Sequence, residues 1–240
     1  MNSTKIDWCT KTLNPVIGCT FGCPYCYARK INTRFSFISD FSDPRFFPER
    51  LNQLQTKKPQ IIFMDSMSDI ADWKDEWIIS TFAAMSDNPQ HIYLFLSKRV
   101  DAVQKKLDYI SKNDLWLHEE FNADVYLGKS ITRQSDLDES IFGSGVDFYS
   151  IEPILEPIDL SGYLKRNIYI YGELHIKWVI IGAETGNRKE KVVPEKQWIQ
   201  SIVHQCRQEN IPVFMKESLR TLMGKEFIQQ FPWKKERIKK

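Results

Sequence analysis

Trp178-Val179-Ile180-Ile181-Gly182-Ala183-Glu184-Thr185-Gly186 begins as an unbroken apolar run and ends in a polar, glycine-bounded turn. A run without polar alternation fits a strand buried on both faces, as in a parallel sheet. The same reading applies to Pro15–Cys19, Ile61–Asp65, Ile92–Leu96, Val125–Ser130, Phe148–Glu152 and Val213–Lys216. Helical patterns lie between these runs. Asp72 reads as the N-cap of a helix carrying Trp77, Ile78, Phe82 and Met85 on one face, with Asp75 and Glu76 in its first turn. Val100, Val103, Leu107 and Ile110 repeat at helical spacing, as do Trp198, Ile199, Ile202, Val203 and Cys206. Strand–helix alternation predicts an α/β fold: a partial or near-complete (β/α) TIM-like barrel of about six to seven parallel strands. One domain over residues 1–240, ending in a short basic tail, is expected.

Composition supports a globular core, with 42% hydrophobic and 13% aromatic residues, seven of them Trp. A net charge of +2 excludes a global basic field for nucleic acid or membrane. The local exception is Lys234-Lys235-Glu236-Arg237-Ile238-Lys239-Lys240, read as a solvated tail with a nucleic-acid contact as the alternative. Met1–Asp7 has no apolar signal region, and apolar runs fall short of the ~20 residues that span a bilayer. A cytoplasmic protein with no membrane partner is the expectation. There, clustered cysteines favour metal over disulfide.

In a barrel the working residues sit at strand ends. That rule nominates the loop after Pro15–Cys19, then Asp65-Ser66-Met67-Ser68-Asp69, Ser97-Lys98-Arg99, Ser130 with Gln134, Glu152-Pro153, Ala183–Gly186 and Lys216-Glu217. The first loop is the most informative. Cys19, Cys23 and Cys26 are spaced C-x3-C-x2-C, with Tyr25 before the last. Three close thiolates can hold three irons of a [4Fe–4S] cluster and leave the fourth iron open. A closed four-ligand zinc or iron–sulfur site through Cys9 is the alternative. Cys206, on an apolar helix face, reads as a core residue.

The cysteine loop with Tyr25 resembles the radical S-adenosylmethionine (radical SAM) superfamily. Lys5–Cys9, Asn14–Cys19, Asp65–Asp69, Ser150–Leu155 and Trp178–Gly186 are together similar to its small phage- and prophage-associated subfamily of unassigned substrate. The resemblance implies cluster ligation by Cys19, Cys23 and Cys26, and SAM bound at the open iron. Reductive cleavage of SAM would then give a 5′-deoxyadenosyl radical that abstracts hydrogen from a substrate. It implies that Tyr25 lies against adenine. Ser66, Met67, Ser68 and Asp69 replace the superfamily's Gly-Gly-Glu-Pro and would hold the SAM amino group. Lys98 or Arg99 would meet the SAM carboxylate, Ser130 the ribose, and Glu152 and Glu184 ribose or substrate. A flavodoxin- or ferredoxin-like one-electron donor is implied. The short chain suggests a partner protein that helps enclose the substrate, and phage association points by analogy to a nucleotide, nucleic acid or peptide.

Other signals fall away. Gly128-Lys129-Ser130 lacks the first glycine of a phosphate-binding loop and sits on a strand pattern. Gly143-Ser144-Gly145 lacks a third glycine, and His118-Glu119-Glu120-Phe121-Asn122 a second histidine. The competing class is a non-catalytic metal-binding module acting as a nucleic-acid adaptor, suggested by the basic tail and the aromatics.

Overall fold

The computed structural model describes residues 1–113, 121–137, 145–168, 172–186 and 188–233. The basic tail, His118–Glu120 and Gly143–Ser144 lie outside the described residues. The chain forms two compact units, Met1–Tyr126 and a second from Leu127 onward.

The first unit carries β1 (Asn2–Ser3), β2 (Lys11–Thr12), β3 (Val16–Ile17), α1 (Tyr27–Phe35), β4 (Arg45–Phe46), β5 (Ile61–Phe63), α2 (Asp75–Ser86), β6 (Ile92–Ser97) and α3 (Val100–Lys112). Its sheet runs β1-β2-β5-β6, with β1 antiparallel to β2 and the rest parallel. Every residue of β5 is buried, as the unbroken apolar run requires. Trp8 lies on Phe63 with ring centroids 4.8 Å apart, and Phe82 of α2 stacks on Phe95 of β6 at 5.7 Å. The Phe82–Phe95 contact brings the predicted α2 face onto the sheet, while Trp77 of that face stacks on Phe46 of β4 at 5.7 Å.

The second unit carries most of β7 (Asp124–Ile131), then β8 (Phe148–Ile151), β9 (Lys165–Ile168), β10 (Gly172–His175), β11 (Trp178–Ile181), α4 (Lys196–Gln208), β12 (Val213–Met215) and α5 (Arg220–Met223). Its sheet runs β7-β8-β11-β12, all parallel. Helix α4 buries Ile199, Ile202, Val203 and Cys206, four of the five residues its spacing singled out, while Trp198 is only half-buried. Trp178 is packed by Phe148, Phe214, Phe231 and Trp233, and its indole N–H donates to the Gln230 carbonyl at 2.8 Å. Glu152-Pro153 is a cis peptide.

The structure overturns the TIM-like barrel. Neither four-stranded run closes on itself among the described residues, and the first is edged by an antiparallel strand. A (β/α) barrel needs a helix after each strand. Between β8 and β11 the chain instead inserts the antiparallel ribbon β9–β10. Strands of two or three residues, such as β2 and β5, are also too short for the tilted staves of a closed barrel. The expected first parallel strand is displaced as well: Val16–Ile17 pairs antiparallel with Arg45–Phe46 in a separate ribbon. Lys11–Thr12 takes its place beside β5, helped by Thr10, whose hydroxyl accepts from the Ile61 amide at 2.8 Å.

No helix among the described residues is long and apolar enough to cross a membrane.

Candidate functional site

The site is built in the first unit, where the cysteine loop leaves β3. Gly18 adopts φ +116°, and its amide donates to the Met67 carbonyl at 3.0 Å. A parallel bridge joins Gly18 to Ser68, so the cysteine loop and the Ser66–Asp69 loop run side by side. The Cys19 amide donates to the Phe41 carbonyl at 2.7 Å. Cys26 caps α1: its thiol sulfur accepts from the Arg29 amide at 3.3 Å, and its own amide donates to the Cys23 carbonyl at 3.2 Å. Cys19 and Cys26 pack against Ile17, Ala28, Ile38, Phe41 and Met67.

All three thiols are free and half-buried. Burial pushes the Cys19 thiol up to about 12, and nearby Asp69 and Asp72 add to this against the Phe21 amide and Arg99. Burial also raises the Cys23 thiol, with Cys26 adding to it and Lys98 opposing. Such thiols ionise when a bound cation offsets their desolvation. In donor chemistry, three soft sulfurs on one loop fit an iron–sulfur group. As placed, no three His, Cys, Asp or Glu side chains gather as a metal-binding group among the described residues. That includes Cys9, which is buried with its thiol 3.8 Å from the Ile6 carbonyl.

Asp72 does not cap α2, which starts after Lys74. Its carboxylate instead accepts from the Thr20 amide at 2.9 Å and the Thr20 hydroxyl at 2.8 Å, and it pairs with Arg99 at 2.9 Å. Burial raises the Asp72 carboxyl, but Arg99 and Thr20 outweigh it and leave the group below its ordinary value. Arg99 also lies 3.6 Å from Asp69. The guanidinium is therefore committed to two carboxylates. Lys98 has no carboxylate ion pair among the described residues, and its ammonium lies 5.7 Å from the Tyr25 ring centroid and 5.9 Å from that of Phe21.

The Ser66–Asp69 loop is tied down from several sides. Asn14 Oδ1 accepts from the Ser66 hydroxyl and the Met67 amide, both at 3.0 Å, while Tyr27 donates to the Ser66 carbonyl at 2.7 Å. Ser68 accepts from the Trp73 indole at 3.0 Å. Asp69 accepts from the Ser97 hydroxyl at 2.7 Å and caps the short turn Ile70–Asp72 through the Ala71 amide at 3.0 Å. Asp65 is fully buried and accepts from the Leu96 amide at 3.0 Å, and burial holds its carboxyl well above the ordinary range.

Ser130, Glu152 and Glu184 belong to the second unit. Ser130 lies one residue before the end of β7, in register with Ser150. Glu152 follows β8 and is ion-paired with Lys216, which follows β12. Gly182 admits them: a Cβ there would fall 2.9 Å from Lys216 Cδ and 3.1 Å from Glu152 Cγ. Glu217 pairs with Arg220 instead of Lys216. Glu184 receives both Nε and Nη2 of Arg188, at 2.6 and 2.8 Å, and this pairing lowers its carboxyl below the ordinary value.

The structure thus gathers Cys19, Cys23, Cys26, Tyr25, Ser66–Asp69 and Lys98 in one unit. Sequence reasoning passed over Asn14, Thr20 and Tyr27, which fasten these loops to one another. Their bonds span 39 to 53 residues and leave no local signal.

The family model of DUF5131, described as a protein of unknown function, matches residues 3–225. The chain belongs to this DUF5131 family. The matched span takes in the cysteine loop, the Ser66–Asp69 loop and the strand ends of the second unit. No curated protein matches the DUF5131 chain significantly.

Proposed function

We propose that the protein is a radical SAM enzyme whose cluster is held by Cys19, Cys23 and Cys26. The observation that carries this reading is the Gly18–Ser68 bridge. It lays the three-cysteine loop along the very loop that, by resemblance, receives the SAM amino group. Held by these three thiolates, a reduced cluster would supply one electron to the sulfonium of bound SAM.

The chain's own residues bind and orient. Lys98 provides the cation for the SAM carboxylate, because Arg99 is held by Asp72 and Asp69. The Ser66 and Met67 carbonyls each accept one hydrogen bond within the protein and keep a second lone pair for the SAM ammonium. Asp69 acts by fixing this loop through Ser97 and Ala71. Tyr25, beside Lys98, offers its ring to adenine. Asp72 and Arg99 hold Thr20 and so set the course of the loop between Cys19 and Cys23. A reducing cytoplasm with a flavodoxin- or ferredoxin-like donor suits this chemistry.

The test is anaerobic reconstitution with iron and sulfide, then dithionite reduction with SAM. About four irons per chain, the number of one cubane cluster, are expected. Formation of 5′-deoxyadenosine, lost on replacing any of the three cysteines by alanine, supports the proposal. Full iron loading and SAM cleavage by Cys23→Ala would sink it. Tightly bound zinc without SAM binding would favour the non-catalytic module.

A further inference from the structure

Of the seven large hydrophobic side chains that are exposed among the described residues, Phe21, Tyr27, Ile31, Phe35 and Phe37 fall in one stretch beside the cysteine loop. Four of the five are aromatic. On α1, Tyr27, Lys30, Ile31, Arg34 and Phe35 recur at intervals of three and four residues and are all exposed, so they share one face of the helix. The opposite face is anchored. Ala28 and Asn32 are buried, and the Asn32 amide exchanges two hydrogen bonds with the Ile38 backbone, at 3.0 and 3.1 Å. The outward presentation of the rings is therefore fixed by the fold.

The C-cap extends the face. Ser36 takes a left-handed conformation at φ 51°, and the next ring, Phe37, stacks on Phe35 at 5.9 Å and 30°. Cations are interleaved with the rings. Arg34 lies 5.1 Å from the Phe35 centroid, and Lys30 is exposed on the same helix face. From Tyr27 to Phe37 there are three basic residues and no acidic one. The nearest carboxylates along the chain are engaged: Asp40 accepts from Ser42, and Asp43 pairs with Arg45.

We infer that this face binds single-stranded nucleic acid and leads it to the cysteine loop. Exposed rings give bases a stacking surface, and interleaved lysine and arginine meet the phosphates between them. A membrane-surface helix segregates cations from apolar residues onto opposite faces, whereas here both occupy one face and the other is packed into protein. The inference names the substrate class of the proposed radical site and in that respect rests on that reading. The binding itself does not depend on it.

The experiment is fluorescence anisotropy with a fluorescein-labelled oligothymidylate of about 15 nucleotides, near the upper site size of single-strand binders. It uses the full chain, both iron-free and reconstituted. Binding that weakens with added KCl and exceeds that of a duplex of equal length is expected. Phe35→Ala with Phe37→Ala should lower affinity roughly tenfold or more, with the thermal midpoint unchanged, since both rings are exposed. Lys30→Gln with Arg34→Gln should flatten the salt slope by about 1.4, the value for two single-strand phosphate contacts.

Failure to bind, or binding that neither double variant alters, overturns the inference. So does binding lost only when the 234–240 lysines are neutralised, or binding to phosphatidylserine vesicles in place of the oligonucleotide. Oligonucleotide binding without 5′-deoxyadenosine keeps this inference and sinks the radical reading. Cleavage of SAM without oligonucleotide binding does the reverse.

Discussion

Asp72 grips Thr20 at two points, accepting from its amide at 2.9 Å and its hydroxyl at 2.8 Å, across 52 residues of sequence. The other side of the carboxylate meets Arg99. Asp72→Ala removes all of these contacts and leaves Arg99 with a 3.3 Å bond to the Thr20 hydroxyl and the 3.6 Å approach to Asp69. We expect a loss of about 1–3 kcal/mol in urea unfolding, since charged hydrogen bonds are broken in a mostly buried setting. Amide exchange, followed by mass spectrometry on the peptide containing Thr20, should quicken at least as much as in the chain as a whole. An unchanged exchange rate there would show that Asp72 does not hold the loop.

Gly18 and Gly22 flank Cys19, and both have positive φ, +116° and +75°. Their surroundings differ. A Cβ at Gly18 would lie 2.7 Å from Pro44 Cα and 3.1 Å from the Phe41 carbonyl oxygen, while one at Gly22 meets nothing within 4 Å. Gly18→Ala therefore combines backbone strain with a collision against main chain and should cost about 2–4 kcal/mol. Gly22→Ala carries the strain alone, about 1 kcal/mol. Equal midpoint shifts for the two variants in thermal unfolding would contradict this ordering.

His91 is buried, with Nδ1 accepting from the Gln60 amide at 3.1 Å and Nε2 facing the Leu54 carbonyl at 2.9 Å. That pattern suits the neutral ring with its proton on Nε2. Burial lowers its pKa from the ordinary 6.5, against the opposing pull of the Leu54 carbonyl. The unfolded chain therefore binds the proton more readily than the folded one. The stability that His91 contributes is complete above 6.5 and is lost as the pH falls through the lowered folded value. Urea titrations of wild type and His91→Gln between about pH 5 and 7 should show a steeper acid decline in the wild type. Parallel curves would rule out a neutral buried His91.

Much of this architecture was legible because burial on both faces writes itself as an unbroken apolar run. Ile92–Leu96 reads as a strand and is one, within Ile92–Ser97. Lys11–Thr12 does not, because two polar residues carry no period. Thr10 and Gln60 side chains, bonded at 3.0 Å, help to hold that strand in place. Asp72 had the chemistry of a helix cap and stood near the right place, yet a cation 27 residues away claimed it. Local preference favours a cap by about 1 kcal/mol, and the hydrogen bonds that the Asp72 carboxylate accepts from Thr20 and Arg99, about 1.5–3 kcal/mol for a charged group, exceed that. The cysteine loop stood out because its chemistry lies within eight consecutive residues, whereas the contacts that align it with Ser66–Asp69 are long-range, through backbone and through the Asn14 and Tyr27 side chains.

Gly128 and Phe148 face each other across β7 and β8. A Cβ on Gly128 would sit 2.4 to 2.7 Å from three atoms of the Phe148 ring. The ring has no room to retreat, being fully buried with its centroid 5.8 Å from that of Trp178. Gly128 is thus small because the ring lies over it, in a stretch that lacks the first glycine of a phosphate-binding loop. Gly128→Ala should cost about 1–3 kcal/mol by overpacking. Phe148→Leu should cost about the same or less by leaving a partial cavity. Combined, the two should be milder than their sum by about 1–2 kcal/mol, because the shorter side chain opens the space that the new methyl needs. Urea unfolding of the four proteins measures this coupling. Strict additivity would mean that the ring does not dictate glycine at this position.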